Sequence, residues 1–220
     1  MAPLTLAASK RLRKELQVLR KSQAADPEDD ILLQHNPENL LLWKAWLKGA
    51  SSTPYEGGVF QLDIRCGVDY PLSPPTIKFV TRVFHPNVHF RTGDICLDIL
   101  KKEWSPAWGL QAACRAVLAL VRTVVIWRVV SCHSNVSSCV LVCWSVVTSL
   151  SLTHTHPLLT LYTRLFSISQ LSDPDADSPL NCDAGNMIRG GDAMAYHSMA
   201  AMYTVENANF TAWPPTLRQD

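Results

Sequence analysis

The chain has no Cys-x-x-Cys pair, no real surplus of either charge, and no basic-then-apolar leader ending in small residues. Each absence excludes something. Seven cysteines without paired spacing do not make a disulfide framework, and they fit a reducing compartment. A formal net charge of +1 gives no general pull toward nucleic acid, which is therefore not expected as a partner. Without a leader, export is not expected. The sequons Asn135-Val136-Ser137 and Asn209-Phe210-Thr211 then carry no weight. An acidic residue is also missing from the whole stretch Trp104–Ser172. What is present is apolar material, 47% of 220 residues, enough for the core of one ordinary domain with room for an appendage.

The patterning predicts an α+β fold. Thr5–Lys21 reads as an amphipathic helix, with Leu12, Leu16 and Leu19 at i, i+4 and i+7 and basic residues on the other faces. Asp26-Pro27 ends it. Ile31–Gln34, Leu40–Lys48, Val59–Arg65 and Thr76–Phe79 are short apolar-rich runs parted by Pro, Gly, Asn or Ser clusters. Four strands with connections this short imply a four-stranded antiparallel meander. Leu110–Leu120 predicts a helix whose Leu110, Cys114, Val117 and Leu118 share a face, which makes Cys114 a core residue. Ala193–Thr204 predicts a last short helix, its Met194, Met199 and Met202 expected as core filler.

The chemistry concentrates in Val83–Trp108. Cys96 lies in a short apolar run with Ile95, Leu97, Ile99 and Leu100. Asn87 comes nine residues earlier, within His85-Pro86-Asn87, and Trp104-Ser105-Pro106-Ala107 begins eight later. A thiol among polar, proline-stiffened loops in a reducing compartment is a candidate nucleophile, although a single cysteine is by default a small buried hydrophobe. A thiolate attacks without a dedicated base, so no relay is required of His85, which is read as fixing its loop. Pro86 stiffens that loop. For Asn87 two readings stand together: its amide can donate to an oxygen that becomes negative during acyl transfer, or it can bond loop backbone only.

His85–Asn87, Gly93–Leu100 and Trp104–Ala107, preceded by Tyr55–Phe60 and Asp69–Pro75, stand in one order, and in that order they resemble the ubiquitin-conjugating enzymes. The likeness covers roughly Ser9–Leu120 and resumes at Leu171–Thr204. It implies the fold of that family: an N-terminal helix, the meander sheet, further C-terminal helices. It implies that Cys96 accepts ubiquitin as a thioester and passes it to a lysine or cysteine. It further implies that Lys10, Arg11 and Lys14 on the first helix, with Leu72, Pro106 and Ala107, form the platform for the activating enzyme and a RING-type ligase. Read from the residues alone, the basic cluster is a solvated face and Leu72 ordinary packing. Leu72 stands where the family commonly has a bulky aromatic. In the loop after the long helix, the position that often orients the acceptor corresponds to Ser178, with Asp177 beside it; serine cannot act as a carboxylate base. No cofactor or metal is implied on the chain itself, because ATP is used by the activating enzyme upstream.

Three features are similar to the peroxisomal members of the family, their plant form above all. The segment between Asn87 and Cys96 is one residue longer than in many members, Trp108 follows Ser-Pro-Ala, and the run Ser178–Asn186 is distinctive. That likeness implies a cytoplasmic enzyme peripheral at the peroxisomal membrane, held by a membrane-anchored peroxin and modifying import receptors. Rival readings are a catalytically impaired ubiquitin-binding variant and a conjugator of another ubiquitin-like modifier.

Val121–Gln170 departs from the pattern on both sides of it. Its charges are Arg122, Arg128 and Arg164 alone, and apolar residues alternate with Ser and Thr without sustained period. Deleting it joins Leu120 to Leu171 in a family-like run. Val121-Arg122 can be encoded with an intron donor and Gln170 as an acceptor CAG, and fifty codons keep the frame. The expectation is a retained intron or gene-model error, poorly ordered, with a domain made of residues 1–120 and 171–204. The rival is a membrane segment over Val129–Leu152, diluted by Ser131, His133, Ser134, Asn135, Ser137 and Ser138. Val205–Asp220 reads as a divergent tail.

Overall fold

The computed structural model describes residues 3–26, 29–130 and 179–208; for residues 3–5 and 122–130 it describes only the helical backbone. Among the described residues the chain runs α1 (Pro3–Ala25), β1 (Ile31–His35), β2 (Leu42–Lys48), β3 (Val59–Arg65), β4 (Thr76–Phe79), a short 3₁₀ turn (Asp98–Leu100), α2 (Leu110–Val130), α3 (Cys182–Arg189) and α4 (Ala193–Asn207). The strands form the expected antiparallel sheet in the order β1-β2-β3-β4. Its register pairs Leu33 with Ala45, Ala45 with Leu62 and Leu62 with Phe79, so one apolar row crosses all four strands. On β2 the alternation is plain: Trp43, Ala45 and Leu47 are buried and Lys44 is exposed. That row meets Leu12 and Leu19 of α1 and Leu110, Cys114, Val117 and Leu118 of α2 in one core. Each large aliphatic side chain so buried contributes roughly 1.5–3 kcal/mol.

Several boundaries moved for local reasons. β2 starts at Leu42 because Asn39 makes a turn, its side chain accepting from Leu41 N–H and its carbonyl from Leu42 N–H. α1 begins at Pro3, a residue suited to a first helical turn. α2 does not stop at Leu120. No Gly or Pro interrupts Val121–Val130, and Val121, one turn past Val117, is buried. The first ten residues of the non-family block therefore continue the helix, and its first residue is core. The rest, residues 131–170, lies outside the described residues, as does all but the start of the candidate membrane segment. Among the described residues no helix is long and apolar enough to cross a membrane.

The C-terminal elements also correct the sequence reading. Met194 and Met202 are exposed, at 81% and 44%, and are not core filler. The buried stripe of α4 is Tyr196, Ala200 and Thr204, at i, i+4 and i+8, with Met199 and Tyr203 partly buried beside it. The start of the tail belongs to the folded part of the chain. α4 continues to Asn207, and Ala208 is buried, its carbonyl accepting from Val59 N–H on β3 at 2.9 Å. α3 escapes a propensity reading because Gly185 sits in its middle. A Cβ there would strike the Pro179 ring, so the glycine buys close packing at the expense of helix propensity. Its start is marked after all by Asn181, which caps Ala184 N–H.

Candidate functional site

The loop His85-Pro86-Asn87 is held from four sides. The Tyr55 hydroxyl donates to the Phe84 carbonyl at 2.8 Å and lies 2.7 Å from the Tyr196 hydroxyl, so β3's approach and α4 both grip the loop's entrance. Burial pushes both tyrosine hydroxyls well above their ordinary ionisation range. The Pro86 carbonyl accepts from Leu180 N–H at 2.9 Å and Asn181 N–H at 3.1 Å, which pins the approach to α3 onto the loop. His85 is buried, and its Nδ1 accepts the Asn87 N–H at 3.1 Å. Burial lowers the imidazole to about 4, partly opposed by a hydrogen bond with the Leu120 main chain. A neutral ring that accepts through Nδ1 braces its loop.

Cys96 is docked onto that loop by backbone. Its N–H donates to the Asn87 carbonyl at 2.8 Å, and Val88 pairs with Ile95 in an antiparallel bridge. Gly93 sets the approach: its φ is +69°, and a Cβ would fall onto the Phe79 carbonyl of β4. Phe79 N–H in turn donates to the Gly93 carbonyl. The thiol is half-buried, at the edge of the core. Asn87 is buried, and its Oδ1 has no hydrogen-bond partner among the described residues. A buried amide oxygen left unpaired costs about 1–3 kcal/mol. The side chain is therefore not fully spent on its own loop, although its main chain is.

One neighbour of the thiol was not foreseen. Lys101 Nζ donates to Cys96 Sγ at 3.4 Å. The 3₁₀ turn makes this possible: Leu100 N–H bonds the Leu97 carbonyl, and Lys101 and Glu103 N–H both bond the Asp98 carbonyl. Ile99 and Leu100 anchor the turn in the core. The sequence signal was a lysine five residues after the cysteine, unreadable without knowing that the chain doubles back.

A second surface carries the residues expected to form the platform. Leu72 is 71% exposed, and Pro106, Ala107, Lys10 and Lys14 are exposed. Trp104 Nε1 donates to the Pro71 carbonyl at 2.9 Å and stacks obliquely on Tyr70, which fixes one loop against the other. Arg11 is different from its basic neighbours. It pairs with Glu15 and donates to the Trp108 carbonyl at 2.8 Å, so it ties α1 to the second loop. Glu15, absent from the sequence reading, is the hub: it also accepts from the Tyr70 hydroxyl and, at 2.8 Å, from Leu110 N–H at the start of α2. A cleft of about 340 Å³ lies here between α1 and residues 107–112; Cys96 does not line it. Asp177 and Ser178 lie outside the described residues.

Comparison with known proteins agrees with this arrangement. The family described as ubiquitin-conjugating enzyme matches residues 11–126. The protein named Peroxin-4 of Arabidopsis thaliana is 41% identical over 198 residues, 90% of this chain and 93% of that one. A ubiquitin-conjugating enzyme E2 named pex4, from Dictyostelium discoideum, is 41% identical over 194 residues, covering 88% and 95%. Among solved structures, a ubiquitin-conjugating enzyme from Plasmodium yoelii superposes with a TM-score of 0.62 at 28% identity, over 92% of this chain and 96% of that one. The E2 domain of a Toxoplasma gondii ubiquitin-conjugating enzyme gives 0.58 at 27%, over 88% and 99%.

Proposed function

The chain belongs to the ubiquitin-conjugating enzyme family, a family of transferases, and within it is most like the peroxin-type members; on that premise we propose that Cys96 takes ubiquitin from its activating enzyme as a thioester and delivers it to a lysine or cysteine of peroxisomal import receptors. The observation that carries this reading is the main-chain bond from Cys96 N–H to the Asn87 carbonyl at 2.8 Å, which ties the residue with the half-buried thiol to the loop that carries Asn87. Charging is thiol exchange. The ubiquitin C-terminal carbonyl leaves the activating enzyme's sulfur and bonds Cys96 Sγ, so the chain itself needs no cofactor and ATP is consumed upstream. Discharge is attack on that carbonyl by the acceptor amine or thiol. The Asn87 amide would donate to the oxygen as it becomes negative, while His85, Pro86 and Tyr55 keep the loop from yielding.

Lys10, Lys14, Leu72, Pro106 and Ala107 would meet the activating enzyme and a RING-type ligase in turn, with Arg11 bracing that surface from within. A membrane-anchored peroxin would hold the enzyme, otherwise cytoplasmic, at the peroxisome. Asp177 and Ser178 remain the proposed orienting residues for the acceptor.

The test is charging. Activating enzyme, ATP and ubiquitin should yield an adduct that reductant removes. Cys96→Ser should give at most an oxygen ester that thiols leave intact. A thiol-sensitive adduct on the serine variant would remove Cys96 from the mechanism. Charging by the activating enzyme of a different ubiquitin-like modifier, and not by that of ubiquitin, would reassign the cargo.

A further inference from the structure

We propose that Asn181 is a positioning residue for Asn87: its side-chain amide donates to Asn87 Oδ1 and so turns the Asn87 NH₂ toward the thioester. The inference rests on the thioester reading of Cys96. Its ground is a pair of complementary orphans. Asn87 and Asn181 are 3% and 6% exposed. Among the described residues, the buried side-chain nitrogen and oxygen atoms without a hydrogen-bond partner are Asn87 Oδ1, an acceptor, and Asn181 Nδ2, a donor. Apart, each is costly to bury; paired, each satisfies the other.

The chain brings the two residues together at Pro86. Its carbonyl accepts Leu180 N–H at 2.9 Å and Asn181 N–H at 3.1 Å. The nitrogen of that same peptide unit is Asn87's, so the two side chains spring from main-chain groups in contact. The Asn181 amide cannot exchange its ends. Its Oδ1 accepts from Ala184 N–H at 3.3 Å as the cap of α3, which leaves the buried Nδ2 as the unspent end. The two side chains are not hydrogen-bonded in the uncharged chain. In the charged chain the thioester oxygen draws the Asn87 NH₂ to itself, and the same rotation presents Oδ1 to Asn181. The oxygen and nitrogen of an amide lie on opposite sides of its carbon. Anchoring the oxygen therefore holds the NH₂ ready for the oxygen that becomes negative during discharge. The loop's main chain need not move, since His85 Nδ1 already holds Asn87 N–H at 3.1 Å.

The experiment uses the full chain, charged by activating enzyme, ATP and ubiquitin, then chased with free lysine or cysteine in a single turnover. Asn181→Ser and Asn181→Thr are neutral and keep a capping oxygen for Ala184 N–H, but neither carries an amide. Both should form the thiol-sensitive adduct as the unsubstituted chain does, which shows them folded. Both should discharge more slowly by about fivefold or more at saturating acceptor, with the half-saturating acceptor concentration unchanged. The combination with Asn87→Ala separates positioning from plain support. There Asn181→Ser should alter discharge by less than about twofold, because the group it positions is gone. Undiminished discharge in the single variants, an equal further loss in the combined one, or loss of charging in both single variants would overturn the inference alone. Failure of the unsubstituted chain to form a thiol-sensitive adduct would overturn the thioester reading beneath it.

Discussion

Acid should destabilise this protein through one buried histidine. His85 is 2% exposed, and burial lowers it from 6.5 to about 4. The unfolded chain takes up a proton below about pH 6.5 that the folded chain refuses until about pH 4. A lowered histidine contributes stability that is whole above the upper value and is lost as pH falls toward the lower one. At roughly 1.4 kcal/mol per decade, the loss is about 2 kcal/mol at pH 5 and about 3 kcal/mol when complete. Against a typical domain stability of about 5–15 kcal/mol that is a large fraction. The urea midpoint should therefore fall by roughly 1 M between pH 7 and pH 5, taking a slope of about 2 kcal/mol per M. The comparison protein is His85→Gln, which keeps a polar side chain but cannot titrate. It should be less stable at pH 7 and should lose clearly less on going to pH 5. In the folded chain the ring keeps its acceptor for Asn87 N–H until about pH 4, so loss of the brace should not itself slow ubiquitin discharge between pH 7 and pH 5. If His85→Gln and the unsubstituted chain lost equal stability between pH 7 and pH 5, the acid sensitivity would have another source and the brace argument would fail.

Asn87→Ala keeps the backbone bonds to His85 and Cys96 but removes the amide, so it should charge nearly normally and discharge about 10²–10³-fold more slowly to lysine and cysteine; equal single-turnover discharge would take Asn87 out of the chemistry. Burial pushes the Cys66 and Cys114 thiols up to about 12, so brief iodoacetamide treatment at pH 8 should label Cys96 and the exposed Cys182 and spare those two until denaturant is added. Labelling of native Cys114 would show that the core is not closed. Deleting Val121–Gln170 places Leu171 directly after Leu120, one apolar residue in the buried position of another. Soluble yield and thermal midpoint should hold or rise, and a deletion variant that unfolds would make the block integral.

The sheet and the residues proposed for the chemistry were legible because their causes are local. Val59–Arg65 and Thr76–Phe79 appear with the bounds their alternation predicts, and the meander follows from connections too short for a crossover. His85, Asn87 and Cys96 stood out as residue types in a spacing, and Gly93 belongs to that pattern because β4 leaves no room for a Cβ. Local pattern also misled where tertiary contact overrode it. The methionines of α4 looked like core, but Tyr196, Ala200 and Thr204 face inward, since Tyr196 is drawn to Tyr55 under the site loop.

The sequence by itself determined the family and the strand order, and it marked out the loops that carry His85, Asn87 and Cys96, because these depend on neighbours within a few residues or on motifs kept whole. Only the tertiary structure decided how distant residues share polar groups. Glu15 joins α1, Tyr70 and the start of α2 across separations of 55 and 95 residues. Arg11, one of several similar cations in the sequence, becomes a tether because Trp108's carbonyl comes to it. Lys101 reaches Cys96 because a 3₁₀ turn folds the chain back on itself. Hydrogen bonds demand position to within tenths of an ångström, and no periodicity in a chain records where a loop will bring a carbonyl, a hydroxyl or an amine.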